Sequence, residues 1–96
     1  MMPAVGLLTI EIYIPGVTSL KEKRGVVLPL VSRLRKQFNV SVAEIADQDQ
    51  LGHTVLGVAS VSPSADYVHG LLIHVAESVA AWRLDAEIVD YRIELL

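Results

Sequence analysis

Residues 5–25 read VGLLTIEIYIPGVTSLKEKRG and combine a strand, a turn and the start of a helix. Large apolar residues occupy every second position of 8–14, which predicts a strand with one fully apolar face. The Pro-Gly pair that follows predicts the turn that ends this strand. Ser19 and Glu22 have the spacing of a capping box, in which the serine hydroxyl accepts from the third amide and the glutamate reaches back. We therefore expect a helix to begin at Ser19.

The rest of the chain continues the alternation of strands and helices. Apolar residues at helical spacing extend the first helix towards Asn39. Pro29 lies in its middle, and Gly25 relieves the crowding four residues back, so we expect a kink there and not a break. A second amphipathic helix is predicted to start between Ser62 and Ser64. Period-two patterns predict the remaining strands at 40–47, 53–62 and 84–95.

In two of the predicted strands, the pattern has to be examined to decide which side chains face the core. The strand at 40–47 is ambiguous because Val42 and Glu44 share one face. We expect Ala43 and Ile45 to face the core and Glu44 to face solvent. In the strand at 84–95, Ile88 falls on the same face as the charged residues at positions 90, 92 and 94.

The element order βαββαβ predicts one α+β domain over residues 1–96. Right-handed crossovers place two interleaved strand–helix–strand units in a four-stranded antiparallel sheet with both helices on one face, the ferredoxin-like arrangement. The opposite face of the sheet is then bare, with Leu7, Tyr13 and Ile88 projecting from it. Since exposed apolar patches mark interaction sites, we expect a second copy to cover this face, which makes the protein a homodimer.

Composition excludes several classes of protein. The chain has 96 residues, of which 52% are hydrophobic, and contains no cysteine. That length is too short for a two-domain enzyme, and the apolar content excludes intrinsic disorder. The lack of cysteine excludes disulfide scaffolds and thiolate metal sites. We see neither a leader peptide nor an apolar run long enough for a membrane helix, so the expected location is the cytoplasm.

Basic residues are concentrated in the first helix. The chain has a net charge of −3 and contains eight lysines and arginines. Six of the eight lie between positions 21 and 36. They are Lys21, Lys23, Arg24, Arg33, Arg35 and Lys36. A local positive field recruits phosphates even in an acidic protein, which predicts contacts to RNA phosphates or to a ribonucleoprotein surface. The alternative is a solvated helix face whose cations are balanced by Glu44, Asp47 and Asp49.

Motifs for catalysis or metal binding are absent from the sequence. His69 and His74 are five residues apart. On a helix this spacing points the two side chains in different directions, so they are poorly placed to share a metal ion. The Asp47-Gln48-Asp49 turn lacks the glycine and distal glutamate of a calcium loop. We therefore expect no metal, no cofactor and no enzymatic activity.

Two alternatives to RNA binding remain open. The protein is an oligomeric interaction module that works through the bare sheet face, or it has a small-molecule or catalytic site at the dimer seam. The second alternative would use Glu11, Glu44, Asp90 or Arg92.

The sequence also resembles a known family. The blocks SLKEKR at 19–24 and FNVSVAE at 38–44 resemble the YlxP-like family of small bacterial proteins, catalogued as domain of unknown function 503. The similarity reaches the IVDY segment at 88–91, although Gly25 stands where a serine-like or larger residue is expected. The resemblance implies a ferredoxin-like fold and no assigned catalytic residues. Family genes often neighbour those for transcription elongation, translation initiation and ribosome maturation, which implies work on RNA or ribosomes.

Overall fold

A computed structural model describes residues 2–82 and 85–96 and has the predicted βαββαβ order. The elements are β1 (Ala4–Tyr13), α1 (Leu20–Gln37), β2 (Ser41–Ala46), β3 (His53–Ser62), α2 (Ala65–Ala81) and β4 (Glu87–Leu95). The strands pair antiparallel in the order β2-β3-β1-β4, which confirms the ferredoxin-like α+β fold. The predicted start of the last strand at Leu84 lies outside the described residues.

The core forms between one face of the sheet and the two helices. The alternating residues Leu8, Ile10, Ile12 and Ile14 are each at most 1% exposed, as the period-two pattern of β1 predicted. Fully burying one such side chain contributes about 1.5–3 kcal/mol. Gly6 continues this face, and its missing side chain lets α2 approach the sheet closely.

Side-chain caps fix where both helices begin. The Ser19 hydroxyl accepts from the Glu22 amide at 3.1 Å, and the Ser64 hydroxyl accepts from the Tyr67 amide at 3.2 Å. Each cap satisfies one amide that has no partner within its helix and contributes about 1 kcal/mol. α1 continues without interruption through Pro29.

The predicted phase of β2 is wrong. Val42 is buried and Glu44 lies on the helix side of the sheet, whereas Ala43 and Ile45 are exposed. The pairing of β2 with β3 shifts register between Glu44 and Ala46, so this part of β2 does not follow simple alternation. The inward carboxylate is stabilised by a cation from α1, described below.

The predicted position of Ile88 on the bare face is also wrong. The pairing of β1 with β4 shifts register between Glu11 and Ile12, so that Ile12 pairs with Ile88 and Glu11 pairs with Asp90. This bulge turns Ile88 to the helix side, where it packs against the core. Leu7 and Tyr13 do lie on the face away from the helices, since they alternate with the buried residues of β1.

α1 and α2 lie side by side on one face of the sheet. The guanidinium carbon of Arg33 lies 3.8 Å from the centre of the Trp82 ring. Phe38 and His74 make an edge-to-face contact with ring centres 5.5 Å apart. Arg33 belongs to α1 and Trp82 caps the end of α2, whereas Phe38 caps the end of α1 and His74 belongs to α2. The two contacts therefore join the helices into one layer. In the described ranges, no helix has the length and apolar character needed to span a membrane.

Candidate nucleic-acid interface on the first helix

The buried side of α1 is apolar except for one lysine. Val27, Leu30, Val31 and Leu34 point into the core. Lys23 is four residues before Val27, so helical spacing brings it to the same side, where it is only 1% exposed. The structure therefore corrects the prediction that Lys23 belongs to a phosphate-binding surface.

The ammonium group of Lys23 is held by a complete set of oxygen partners. Its Nζ atom lies 3.2 Å from Oε2 of Glu44 and donates to the carbonyl oxygens of Asp47 and Gln48, at 2.6 and 3.2 Å. The Thr54 hydroxyl donates to the same carboxylate oxygen. Asp47 has a φ of +60°, a conformation that few non-glycine residues adopt. Lys23 thus stabilises the turn between β2 and β3 and has a structural role.

The other five cations of α1 are exposed. We call them the basic ridge: Lys21, Arg24, Arg33, Arg35 and Lys36. At about 1.5 Å rise per residue, the ridge is about 22 Å long from Lys21 to Lys36. Its middle contains Gly25, where an added side chain would meet open space, and Leu28, which is 61% exposed. Because Arg33 leans towards α2 and Arg35 towards β2, a partner that contacts the whole ridge has to follow the curvature of the helix.

Two arginines of the basic ridge are oriented by contacts within the protein. Arg35 donates from Nη2 to the carbonyl oxygen of Val42 at 2.6 Å. The guanidinium of Arg33 stacks on the ring of Trp82, whose electron-rich face attracts the positive charge. Each guanidinium has further N–H groups for a ligand, because the guanidinium carries five donors. These contacts restrict the rotamers of the arginines, which lowers the entropy lost when they bind an anion.

The basic ridge lacks acidic partners in the described part of the chain. The single ion pair made there by the cations of positions 21–36 is that of Lys23 with Glu44. The alternative interpretation, in which acidic residues near the β2–β3 turn balance the cations of α1, therefore holds for Lys23. Glu44 supplies the carboxylate, and Asp47 contributes only its carbonyl oxygen. Of the ridge cations, Arg24 lines a cleft with Glu44 and Asp49 but makes no ion pair with either of them.

The residues of the alternative small-molecule site lie on two sides of the sheet. Glu11, Asp90 and Arg92 line an open cleft of about 140 Å³ on the face away from the helices. Glu44 lies on the helix side and is occupied by Lys23. The sheet therefore keeps the four side chains from forming a single site within one copy of the chain.

Helical spacing contains a signal for the buried lysine that a charge count overlooks. Lys23, Val27, Leu30 and Leu34 follow the i, i+4, i+7, i+11 pattern of a single buried stripe. The matching signal in β2 is that Glu44 shares the face of Val42. A lysine in a buried helix stripe and a glutamate on a buried strand face together predict an ion pair.

Comparison with known proteins identifies relatives of the chain. A family model described as "Protein of unknown function (DUF503)" matches residues 5–93. A protein of Bacillus subtilis described as "Uncharacterized protein YlxP" is 42% identical over 60 residues. That match covers 62% of this chain and 65% of the relative.

Proposed function

This chain belongs to the DUF503 family of proteins of unknown function, and we propose that it binds RNA through the phosphate backbone with the basic ridge of α1. The observation that carries the proposal is the set of five exposed cations for which the described residues supply no carboxylate partner. The chain as a whole has a net charge of −3, so this concentration of positive charge is a local feature.

The energetics of the basic ridge favour an external anion. Like charges three or four residues apart destabilise a helix by a few tenths of a kcal/mol per pair. Lys21 with Arg24, and Arg33 with Lys36, are pairs of this kind. A polyphosphate relieves both repulsions at once and releases its own counterions, which is the main source of affinity in backbone recognition.

The ridge is suited to backbone contacts and not to reading bases. α1 contains no aromatic residue on which a base could stack. Tyr13 and Tyr91 are exposed but belong to β1 and β4 and not to the ridge. The expected ligand is therefore RNA recognised by shape and charge, with little dependence on base sequence.

Salt-dependent binding of a labelled RNA oligonucleotide tests this proposal. Neutralising five phosphates of a single strand gives a slope of log K against log salt of about −3.5. The variant Lys21→Gln/Arg24→Gln/Lys36→Gln removes three ridge cations that make no ion pair with described residues, and should reduce the slope to about −1.4. Glu77→Gln is the control, because Glu77 is an exposed charged residue of α2 that lies outside the ridge.

The outcomes of this experiment are distinct. Binding whose slope falls in the triple variant and is unchanged in Glu77→Gln supports the ridge as the RNA site. No binding at low salt, or equal slopes for wild type and triple variant, contradicts the proposal. Equal slopes would place any RNA contact elsewhere on the molecule.

A further inference from the structure

The two edges of the sheet differ in how they are protected. β2 is short, has a register shift near Ile45, and has the carbonyl of Val42 capped by Arg35. β4 has nine residues and contains neither lysine nor proline. Its side chains Tyr91 and Leu95 are 45% and 50% exposed. Proteins usually blunt an edge strand with charged side chains, a bulge, a proline or a cover. β4 has a bulge near its start and four charged side chains, but the segment 91–95 is regular, and its charges Arg92 and Glu94 are of opposite sign and can complement those of an antiparallel copy.

The backbone of this regular segment is oriented for pairing. The amide of Leu96 donates to the carbonyl of Val5 at 2.8 Å. Because an antiparallel ladder alternates, the peptide groups of Tyr91, Ile93 and Leu95 then point away from β1. The amide of Tyr91 points the same way and donates to Oδ1 of its neighbour Asp90 at 2.8 Å. Pairing with another strand exchanges this bond for one to the partner's carbonyl oxygen.

We propose that β4 pairs antiparallel with β4 of a second copy of the chain, centred on Ile93, to form one continuous eight-stranded sheet. In this register Ile93 faces Ile93 of the second copy. Tyr91 lies opposite Leu95 on the helix side of the sheet, and Arg92 lies opposite Glu94 on the other side. Each of the last two pairs occurs twice, because the interface is two-fold symmetric.

Charge complementarity selects this register. Arg92 and Glu94 already pair within one strand, with Nε and Oε1 3.3 Å apart. Two antiparallel copies centred on Ile93 place these charges in an alternating square. A centre at position 92 would oppose arginine to arginine and Asp90 to Glu94, and a centre at position 94 would oppose glutamate to glutamate. A centre at position 91 would extend the pairing into the bulge near Val89.

This interface is independent of the proposed RNA site. The ridge lies on α1, which contacts the other edge of the sheet through Arg35 and Lys23. Pairing through β4 keeps the helices of both copies on one side of the continuous sheet, so both ridges stay exposed. A failure of RNA binding therefore leaves the dimer proposal standing, and the reverse also holds.

Charge reversal with mixing tests the interface. Sedimentation equilibrium should show a dimer for the wild-type protein. Arg92→Glu and Glu94→Arg should each weaken self-association about tenfold or more, because each opposes like charges across both symmetric pairs. An equimolar mixture of the two variants should dimerise again, since each supplies the charge that the other lacks. The pair within each strand stays broken in the mixture, so recovery reports an intermolecular contact.

A crosslink checks the register directly. The chain has no cysteine, so Ile93→Cys introduces a single thiol. Cα atoms of a hydrogen-bonded antiparallel pair are about 5.5 Å apart, within the range a disulfide spans. Ile93→Cys should form a disulfide-linked dimer under mild oxidation, and Val61→Cys, an exposed position of the central strand β3, should not. A monomeric wild-type protein at high micromolar concentration, or a dimer unaffected by both charge reversals, would overturn the proposal.

Discussion

Replacing Lys23 by methionine should strongly destabilise the protein. The substitution keeps most of the apolar stem and removes the ammonium, which contacts Glu44 and two carbonyl oxygens. Breaking a fully buried ion pair costs about 3–5 kcal/mol, because the remaining charge is left without a partner. The Glu44 side chain is 23% exposed and also accepts from Thr54, so we expect a loss of about 2–3 kcal/mol.

Urea and thermal unfolding measure this effect. For a domain of this size, a loss of 2–3 kcal/mol lowers the Tm by about 10–20 °C. Lys36→Met is the matched control, since it removes an exposed lysine from the same helix and should change stability by less than about 0.5 kcal/mol. In Lys23→Met/Glu44→Met no charge is left unpaired, so most of the lost stability should return, and the cycle should show a coupling of about 1–3 kcal/mol.

Two results would refute this reasoning. If Lys23→Met were as stable as Lys36→Met, the lysine would contribute no more than a surface residue. If the double variant were no more stable than Lys23→Met, the unpaired carboxylate of Glu44 would not be the source of the loss.

Three further substitutions test the packing of α2 and its start. Gly6→Ala should cost about 1–3 kcal/mol, because a Cβ there would lie 2.5 Å from Cγ1 of Val68 and 2.8 Å from Cδ1 of Leu72; an unchanged urea midpoint would show that α2 is not packed this closely. Gly70→Ala should stabilise by up to about 1 kcal/mol, since nothing lies within 4 Å of the added atom in this helix, and a lower Tm would contradict that. Ser64→Ala should cost about 1 kcal/mol through the lost cap, and a neutral result in urea unfolding would show that water replaces the hydroxyl.

The strand β1 and both helix starts could be predicted from the sequence because each depends on local pattern. Four alternating aliphatic residues from Leu8 to Ile14 leave a single choice of buried face. Ser19 and Ser64 supply caps within three residues of the amides that they satisfy. Such signals need no knowledge of distant residues.

The features that were predicted wrongly depend on pairs distant in sequence. Lys23 is buried because Glu44, from another element, accompanies it, and the inward Glu44 in turn explains the phase of β2. Ile88 faces the core because of a bulge in β4 opposite β1. The position of a bulge depends on how two strands pair. The alternation of residues along one strand therefore does not reveal it.

The sequence predicts that the candidate site lies on α1, and the structure removes one of its six residues, Lys23, from the exposed surface. The concentration of charge in α1 is a sequence property, and five of the six predicted cations are exposed there. Lys23 is the exception, because its angular position on the helix places it in the buried stripe, which a count of charges along the sequence does not show.

Ultraviolet crosslinking of the protein to RNA, followed by mass spectrometry of the adducts, tests the central claim most directly. The account predicts nucleotide adducts on peptides that contain residues 20–37, and their loss in the triple variant Lys21→Gln/Arg24→Gln/Lys36→Gln. Adducts confined to the sheet face of β1 and β3, or adducts on α1 that persist undiminished in the triple variant, would contradict it.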